Sequence, residues 1–318
     1  MRCLVTGASG FIGGTLVQRL ATEEHQVRGV IHHTQPSFSH ANLEYVTGDI
    51  ADPEFLESIM DHVEVVFHCA AMVKDYGPKK EFHRINVEAT QHLATLCQIH
   101  GVRRFIFLSH IHYESQQRIA EYQKTKALAE HYLLKKYAEE QFPVVIIRPG
   151  NVYGPGATTW VLRLLRAIQN NRIALVDHGK GIFLHTYIDN LLDAIMIAVD
   201  KPGVLGKTID ITDGDNTVTW GDYINALAKM AHKPPIQKNL SKSTALVISK
   251  MMMALYTLFR VEPWVTPYAV EIFTNHHTVS IEAAKDLLGY TPKISLSEGL
   301  RHVEHWLKTE GYITEDHE

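Results

Sequence analysis

Short apolar runs alternate with stretches of helical period through the first half of the chain. Residues 2–6, 26–32, 43–46, 64–68, 104–109 and 144–148 are rich in Val, Ile, Leu and Phe and read as strands. Between them, residues 13–23, 53–60, 86–100 and 121–139 place their apolar side chains at a helical period. Strands alternating with helices predict a parallel sheet covered on both faces. Right-handed crossovers make it a doubly wound α/β sheet.

The second half is less regular. Residues 158–170 and 190–199 read as helices, 183–188 and 208–211 as strands, and 219–231 as a helix with Thr219 as its N-cap. A helix over 296–308 closes the pattern. Residues 1–155 are expected to form the sheet domain, with 182–200 returning to it. Residues 156–318 are expected to form a smaller, partly interleaved C-terminal α/β lobe that holds the substrate.

The turn between the first strand and first helix reads Thr6-Gly7-Ala8-Ser9-Gly10-Phe11-Ile12-Gly13. Backbone amides at a helix N-terminus attract a pyrophosphate, and glycines let the chain turn and approach it closely. A strand before the turn and a helix after it give the context a dinucleotide-binding Rossmann fold requires. Gly7, Gly10, Phe11, Ile12 and Gly13 are therefore candidate cofactor contacts. The second strand ends Val30-Ile31-His32-His33, with no carboxylate to receive a ribose 2′-hydroxyl. His32 could meet a 2′-phosphate instead, which favours NADP and leaves NAD open. Asp49, after the third strand, is either an adenine contact or a cap or turn carboxylate.

Composition narrows the classes. The 318 residues are 45% hydrophobic and 21% charged with a net charge of -4, which suits a globular protein and supplies no basic field for nucleic acid. Cys3, Cys69 and Cys97 are too few and scattered for a disulfide framework and read as reduced, cytoplasmic core residues. The N-terminus enters a strand without the pattern of a signal peptide. The apolar run 245–259 is interrupted by Ser249, Lys250 and Thr257, so no spanning membrane segment is expected. That methionine-rich run reads either as a wall for a lipid-like substrate or a membrane-resting surface, or as a core or dimer helix. Among the 20 histidines, no spacing builds a metal site, and none is expected.

Reducing a carbonyl requires a proton donor. A tyrosine can serve if a lysine ammonium one helical turn away favours the phenolate. Tyr-x-x-x-Lys occurs three times, at Tyr76–Lys80, Tyr122–Lys126 and Tyr132–Lys136. Open α/β sheets bind ligands at the carboxyl ends of their strands. Only Tyr122–Lys126 opens a helix that follows such an end; Tyr132 lies about 15 Å further along that helix.

In order along the chain, these pieces resemble the extended short-chain dehydrogenase/reductase superfamily. TGASGFIG resembles its cofactor loop, Gly48-Asp49-Ile50 its adenine contact, and His68-Cys69-Ala70-Ala71 its segment after the fourth strand. Asn86 is similar to its structural asparagine, YQKTK at 122–126 to its catalytic pair, and RPGNVYGPG at 148–156 to the stretch joining its two lobes. The resemblance implies that Ile50, Ala70, Ala71, Asn86, Pro149 and Val152 join the cofactor site, along with Tyr122 and Lys126. The segment 67–77, YIDNLLDA and the ending LLGYTPKISLSEGLRHVEHWL are most similar to the 3β-hydroxysteroid dehydrogenase-like branch. That branch implies alcohol–ketone chemistry on a hydrophobic substrate. Dimerisation through two helices is likewise implied only by the resemblance.

One departure concerns the family's catalytic serine. The fifth strand ends Phe107-Leu108-Ser109-His110, and His110 stands where the serine usually does. Neighbours on a strand face opposite ways, so one of the two is expected to polarise the substrate oxygen. The connection from there to Tyr122 is also shorter than in extended relatives. The reading is thus an NAD(P)-dependent oxidoreductase. Its rivals are a nucleotide-sugar epimerase or dehydratase on the same scaffold, and a catalytically idle NADP-binding protein.

Overall fold

The computed structural model describes residues 1–112 and 120–314; residues 113–119, within the short connection before Tyr122, lie outside the described residues. Seven strands form one parallel sheet. They are β1 (Arg2–Thr6), β2 (Gln26–Ile31), β3 (Leu43–Thr47), β4 (Val65–His68), β5 (Arg104–Leu108), β6 (Val144–Pro149) and, after three short strands, β10 (Thr208–Ile211). Their order is β10-β6-β5-β4-β1-β2-β3. The order reverses between β1 and β4, and the crevice at that switch point is where ligands of such sheets bind.

The apolar runs are continuous because both faces of the sheet are covered. Cys3 and Val5 of β1, Val65 and Phe67 of β4, and Ile106 and Leu108 of β5 enter one core. Their neighbours Leu4, Val66, Phe105 and Phe107 enter the other. Helices α1 (Phe11–Thr22) and α7 (Ile188–Asp200) cover the first face; α2 (Pro53–Ser58), α4 (Ala89–Ile99) and α5 (Glu121–Glu140) cover the second. The helix expected at 86–100 begins earlier: α3 (Lys79–His83) runs through a π-helical stretch, Arg84–Glu88, into α4. Its first turn is too polar to show an apolar period.

The remaining short strands are β7 (Asn151–Tyr153), β8 (Leu175–Val176), β9 (His185–Tyr187) and β11 (Asn239–Leu240), which pair β7 with β9 and β8 with β11. The other helices are α6 (Arg163–Gln169, after a π-helical turn at Thr158–Leu162), α8 (Trp220–Met230), α9 (Lys242–Phe259), α10 (Pro267–Phe273), α11 (Glu282–Leu288) and α12 (Leu296–Thr309). Thr219 caps α8, its hydroxyl accepting from the Asp222 amide at 3.1 Å. An aromatic cluster of Tyr153, Phe183, Trp220 and Tyr223 joins the segment after β6 to α8. Cys3, Cys69 and Cys97 are free thiols. No helix among the described residues is long and apolar enough to cross a membrane.

Candidate active site

A cleft of about 1350 Å³ runs along the carboxyl ends of the strands. At one end lies the glycine turn. Gly7 takes φ +73°, and a Cβ there would stand 2.8 Å from the Ala70 amide nitrogen. A Cβ on Gly13 would collide with the Gly7 carbonyl. Gly10 caps α1 with no side-chain bond, and the first turn of α1 carries no acid, so the first amides of the helix face the cleft without competition. A pyrophosphate needs close backbone approach, open amides and no nearby carboxylate, and this turn meets all three requirements.

A buried relay fixes the loop opposite. The Thr90 hydroxyl donates to the Asn86 carbonyl at 2.9 Å and lies 2.9 Å from Nε2 of His68. Nδ1 of His68 lies 2.7 Å from the Thr6 hydroxyl, which accepts from the Ala70 amide at 3.1 Å. With Thr90 and the Ala70 amide both donating, one direction satisfies every atom: His68 carries its proton on Nε2 and accepts at Nδ1. Burial, with the Lys126 charge adding to it, pushes the His68 pKa down to about 3, so the ring stays neutral. Asn86 is buried behind this loop and does not line the cleft. Its side chain bonds both backbone groups of Met72 (2.7 and 3.3 Å) and the Thr125 hydroxyl (3.0 Å), tying the loop to α5.

Gly7, Gly10, Phe11, Ile12, Gly13, His32, Asp49, Ile50, Ala70 and Ala71 all line the cleft, as do Pro149 and Val152. Asp49 is committed within the protein: it accepts from the Ala51 amide at 2.9 Å and pairs with Arg84 at 2.8 Å. Burial opposes its charge, but these two donors hold its pKa below the usual carboxylate range. Arg84 also pairs with Glu81 at 3.0 Å and lines the cleft. Sequence reasoning missed this arginine because it is 35 residues from Asp49 and sits in a stretch with no motif.

The chemistry-bearing residues gather beyond β5 and β6. Tyr122 is the second residue of α5 and lines the cleft; burial first, then the Glu130 charge, pushes its phenol pKa up. Lys126, one turn on, is buried behind it and does not line the cleft. Its ammonium lies 3.8 Å from the centre of the Phe107 ring, and burial lowers its pKa to about 7. Desolvation of both groups therefore dominates over their mutual influence. Tyr76 lines the cleft too, with its ring edge-on to Tyr256 at 4.8 Å, but Lys80 is exposed on α3. Tyr132 packs against the core under α5.

Strand β5 stops at Leu108, so the alternation that would send Ser109 and His110 to opposite faces stops there as well, and both line the cleft. Both His110 ring nitrogens are buried without a hydrogen-bond partner among the described residues, and the Ser109 hydroxyl, also buried, turns toward Glu130. The His110 ring lies 5.0 Å from that of Tyr122 and 4.7 Å from that of His112. Burial, then the His112 and Lys126 charges, push the His110 pKa down to about 3.

Glu130 completes the cluster. It lies two turns beyond Tyr122 on α5, is buried, and pairs with Arg148 through both oxygens and with His112 at 3.2 Å. Burial disfavours its charge, but Arg148, His112 and the Ser109 hydroxyl outweigh that and hold its pKa at about 2. Its spacing from Tyr122 and Lys126 is the one feature in the sequence that could have revealed it.

At the far end the cleft is apolar, with Trp160, Ile173, Ile248, Trp264 and Tyr268 in its wall. Helix α9 contributes Ala245 and Ile248 to that wall; the consecutive methionines at 251–253 do not line it, so of the alternative readings of that run they do not form the substrate wall. Arg163 and Arg172 line the cleft, but Arg166 does not. No group of three metal-binding side chains occurs among the described residues.

Residues 3–211 match the family model described as NAD dependent epimerase/dehydratase family. The chain is 29% identical to 2-alkyl-3-oxoalkanoate reductase of Stenotrophomonas maltophilia, across 96% of this chain and 98% of that protein. It is 27% identical to 3-beta-hydroxysteroid dehydrogenase of Mycolicibacterium neoaurum, across 94% and 89%. UDP-glucuronic acid 4-epimerase from Bacillus cereus, solved in complex with NAD, superposes with a TM-score of 0.76 at 23% identity over 97% of each chain, a likeness of fold. The chain belongs to the NAD dependent epimerase/dehydratase family and is an NAD(P)-dependent enzyme of the extended short-chain dehydrogenase/reductase type.

Proposed function

We propose that the protein interconverts a secondary alcohol and a ketone on a hydrophobic substrate. The observation that carries this reading is the convergence of the Tyr122 phenol, the Ser109 hydroxyl and the two His110 ring nitrogens, the latter without a partner among the described residues, on a cleft that runs from the glycine turn to an apolar wall. A bound nicotinamide supplies or accepts hydride. The first amides of α1 would hold its pyrophosphate. Tyr122 passes the proton to or from the substrate oxygen, at its phenolic oxygen. Lys126 supplies the positive charge that makes the phenolate accessible. Ser109 or His110 donates a hydrogen bond to the same substrate oxygen; His110 can do so because a neutral imidazole carries one N–H.

Two relatives sharpen the substrate class. One is named for a 2-alkyl-3-oxoalkanoate and the other for a 3-beta-hydroxysteroid, each an oxygen function on a hydrocarbon skeleton. The apolar wall at Trp160, Ile248 and Trp264 suits such a frame. For the cofactor, NADP is the proposed preference. His32 faces the cleft at the end of β2, whereas Arg84 is already shared between Asp49 and Glu81. A nucleotide-sugar reaction is the second reading, favoured by Arg163 and Arg172 in the cleft wall.

The deciding experiment follows NADPH and NADH oxidation with steroid ketones, long-chain ketones and 2-alkyl-3-oxo acids, beside UDP-sugars. Turnover of at least one hydrophobic ketone, faster with NADPH, is expected. Turnover of UDP-sugars alone would favour the second reading. Tight NADPH binding with no turnover on any of them would mark an idle binding protein.

A further inference from the structure

Helix α9 is apolar on both of its faces. Inward, Ala245 and Ser249 are buried, and Ala245 and Ile248 face the cleft. Outward, Val247, Met251, Leu255 and Leu258 follow one another at intervals of four, four and three residues, which makes a single exposed stripe. The stripe runs to the end of the helix, where Leu258 is 72% and Phe259 69% exposed, and Trp264 beyond it is 61% exposed. A surface helix ordinarily turns charge toward water, and a contiguous outward apolar patch marks a surface that something covers.

The charges around the patch identify the cover. Residues 239–261 contain no Asp or Glu, in a chain whose net charge is -4, and carry Lys242, Lys250 and Arg260. Lys242 is paired with Glu271, while Lys250 and Arg260 are exposed beside the stripe, the latter 5.7 Å from the Tyr256 ring. Glu262, the next acid along the chain, is exposed within the segment to Trp264 and, like Trp264, lines the cleft; Lys250 and Arg260 outnumber it on this face. A second copy laid symmetrically on this face would set cation against cation, which is unfavourable. An anionic headgroup layer meets both features at once, with hydrocarbon for the stripe and negative charge for its cations. Phe259 and Trp264 beside Arg260 also match the aromatic and basic side chains that favour a headgroup boundary. The helix cannot cross: Lys250 stands near its middle, and no described helix meets the requirement for spanning.

We propose that the outer face of α9, with the segment to Trp264, docks on the surface of an anionic lipid bilayer. The opposite side of the same helix walls the apolar end of the cleft, so docking sets that end beside the lipid. The docking itself depends on no assignment of the reaction.

The full chain is sedimented with vesicles of phosphatidylcholine mixed with phosphatidylglycerol, and with vesicles of phosphatidylcholine alone. Binding to the mixed vesicles, weak binding to the neutral ones and release by high salt are expected. The pairs Leu258→Ser with Phe259→Ser, and Lys250→Glu with Arg260→Glu, should each lower the bound fraction about ten-fold or more. All four side chains are exposed, so the variants should keep the wild-type circular dichroism and NADPH affinity. No binding to either vesicle, or binding that both pairs leave unchanged, overturns the proposal. So does a dimer in analytical ultracentrifugation that Leu258→Ser with Phe259→Ser separates.

Discussion

The two ends of the cleft are built on opposite terms. Near the glycine turn, the protein satisfies its own polar groups: Thr6, His68 and Thr90 form a closed relay, Asn86 holds both backbone groups of Met72, and Asp49 is bonded to Ala51 and Arg84. Near Tyr122, both nitrogens of His110 are buried and unpartnered among the described residues. A buried polar atom without a partner costs roughly 1–3 kcal/mol. At the first end the side chains are partnered before any ligand arrives, and only the backbone amides that open α1 are left for it. The second leaves hydrogen bonds to be completed by the molecule that enters, and that is where strength of binding can become selectivity for a transition state.

The largest expected effect breaks the unfinished end alone. Tyr122→Phe should lower kcat by about 10³-fold, within the range for loss of a general acid, while the Kd for NADPH changes little. Steady-state kinetics with a separate binding titration measures both. A variant that keeps full activity removes Tyr122 from the chemistry, and one that loses cofactor affinity instead makes the phenol part of the finished end.

The next effect sharpens the choice between two neighbours. Ser109→Ala and His110→Ala are expected to differ: removal of the residue that donates to the substrate oxygen should cost about 10²-fold in kcat, and removal of the other only a few-fold. Equal losses of that size would mean that the two act together, which the end of β5 at Leu108 permits.

The same contrast explains what could be read from the sequence. The sheet was legible because its central strands are buried on both faces and spell continuous apolar runs, and because the glycine turn, YQKTK and RPGNVYGPG are local in sequence. The continuous helix from Lys79 was not, since its first turn is Lys-Lys-Glu. The strand at 208–211 was legible as a strand, but its place beside β6 is a matter of topology. The partnerships that finish the glycine end join residues 22, 35 and 62 positions apart, distances at which no spacing rule operates. The face of α5 toward the sheet illustrates a further difficulty. Thr125, Lys126 and Glu130 are buried there, where an apolar stripe would normally be, so the helix that carries the chemistry has the weakest pattern.

Glu130→Gln tests whether the polar face of α5 serves the unfinished end or only holds the fold. Removing the carboxylate leaves Arg148 partly buried without its partner and should destabilise the protein by about 2–4 kcal/mol. A merely structural role would stop there. A positioning role adds a pH effect: Glu130 favours the charged form of Lys126, whose pKa is already lowered to about 7 by burial. Without it that value falls further, so the alkaline limb of the kcat/KM profile for ketone reduction should move to lower pH. An unmoved limb would confine Glu130 to stability.

The smallest effect is a slope. His110 has a folded pKa of about 3 against 6.5 for an unperturbed histidine, with burial as the first cause. Between those values the unfolded chain binds a proton that the native ring refuses. Stability is therefore full above about pH 6.5 and falls as the pH drops toward 3, by about 1.4 kcal/mol per pH unit for one such group. His68 contributes in the same direction and window, while Asp213, raised by burial to about 7, opposes them because its carboxyl is protonated first in the native state. The absolute slope thus mixes several groups, but the difference between two proteins does not. Urea unfolding of the wild type and of His110→Phe, at a series of pH values inside that window, should give slopes differing by about that one-group amount, with the variant flatter. Identical slopes would mean that His110 takes up its proton in the folded protein, and the unfinished end of the cleft would then hold a cation.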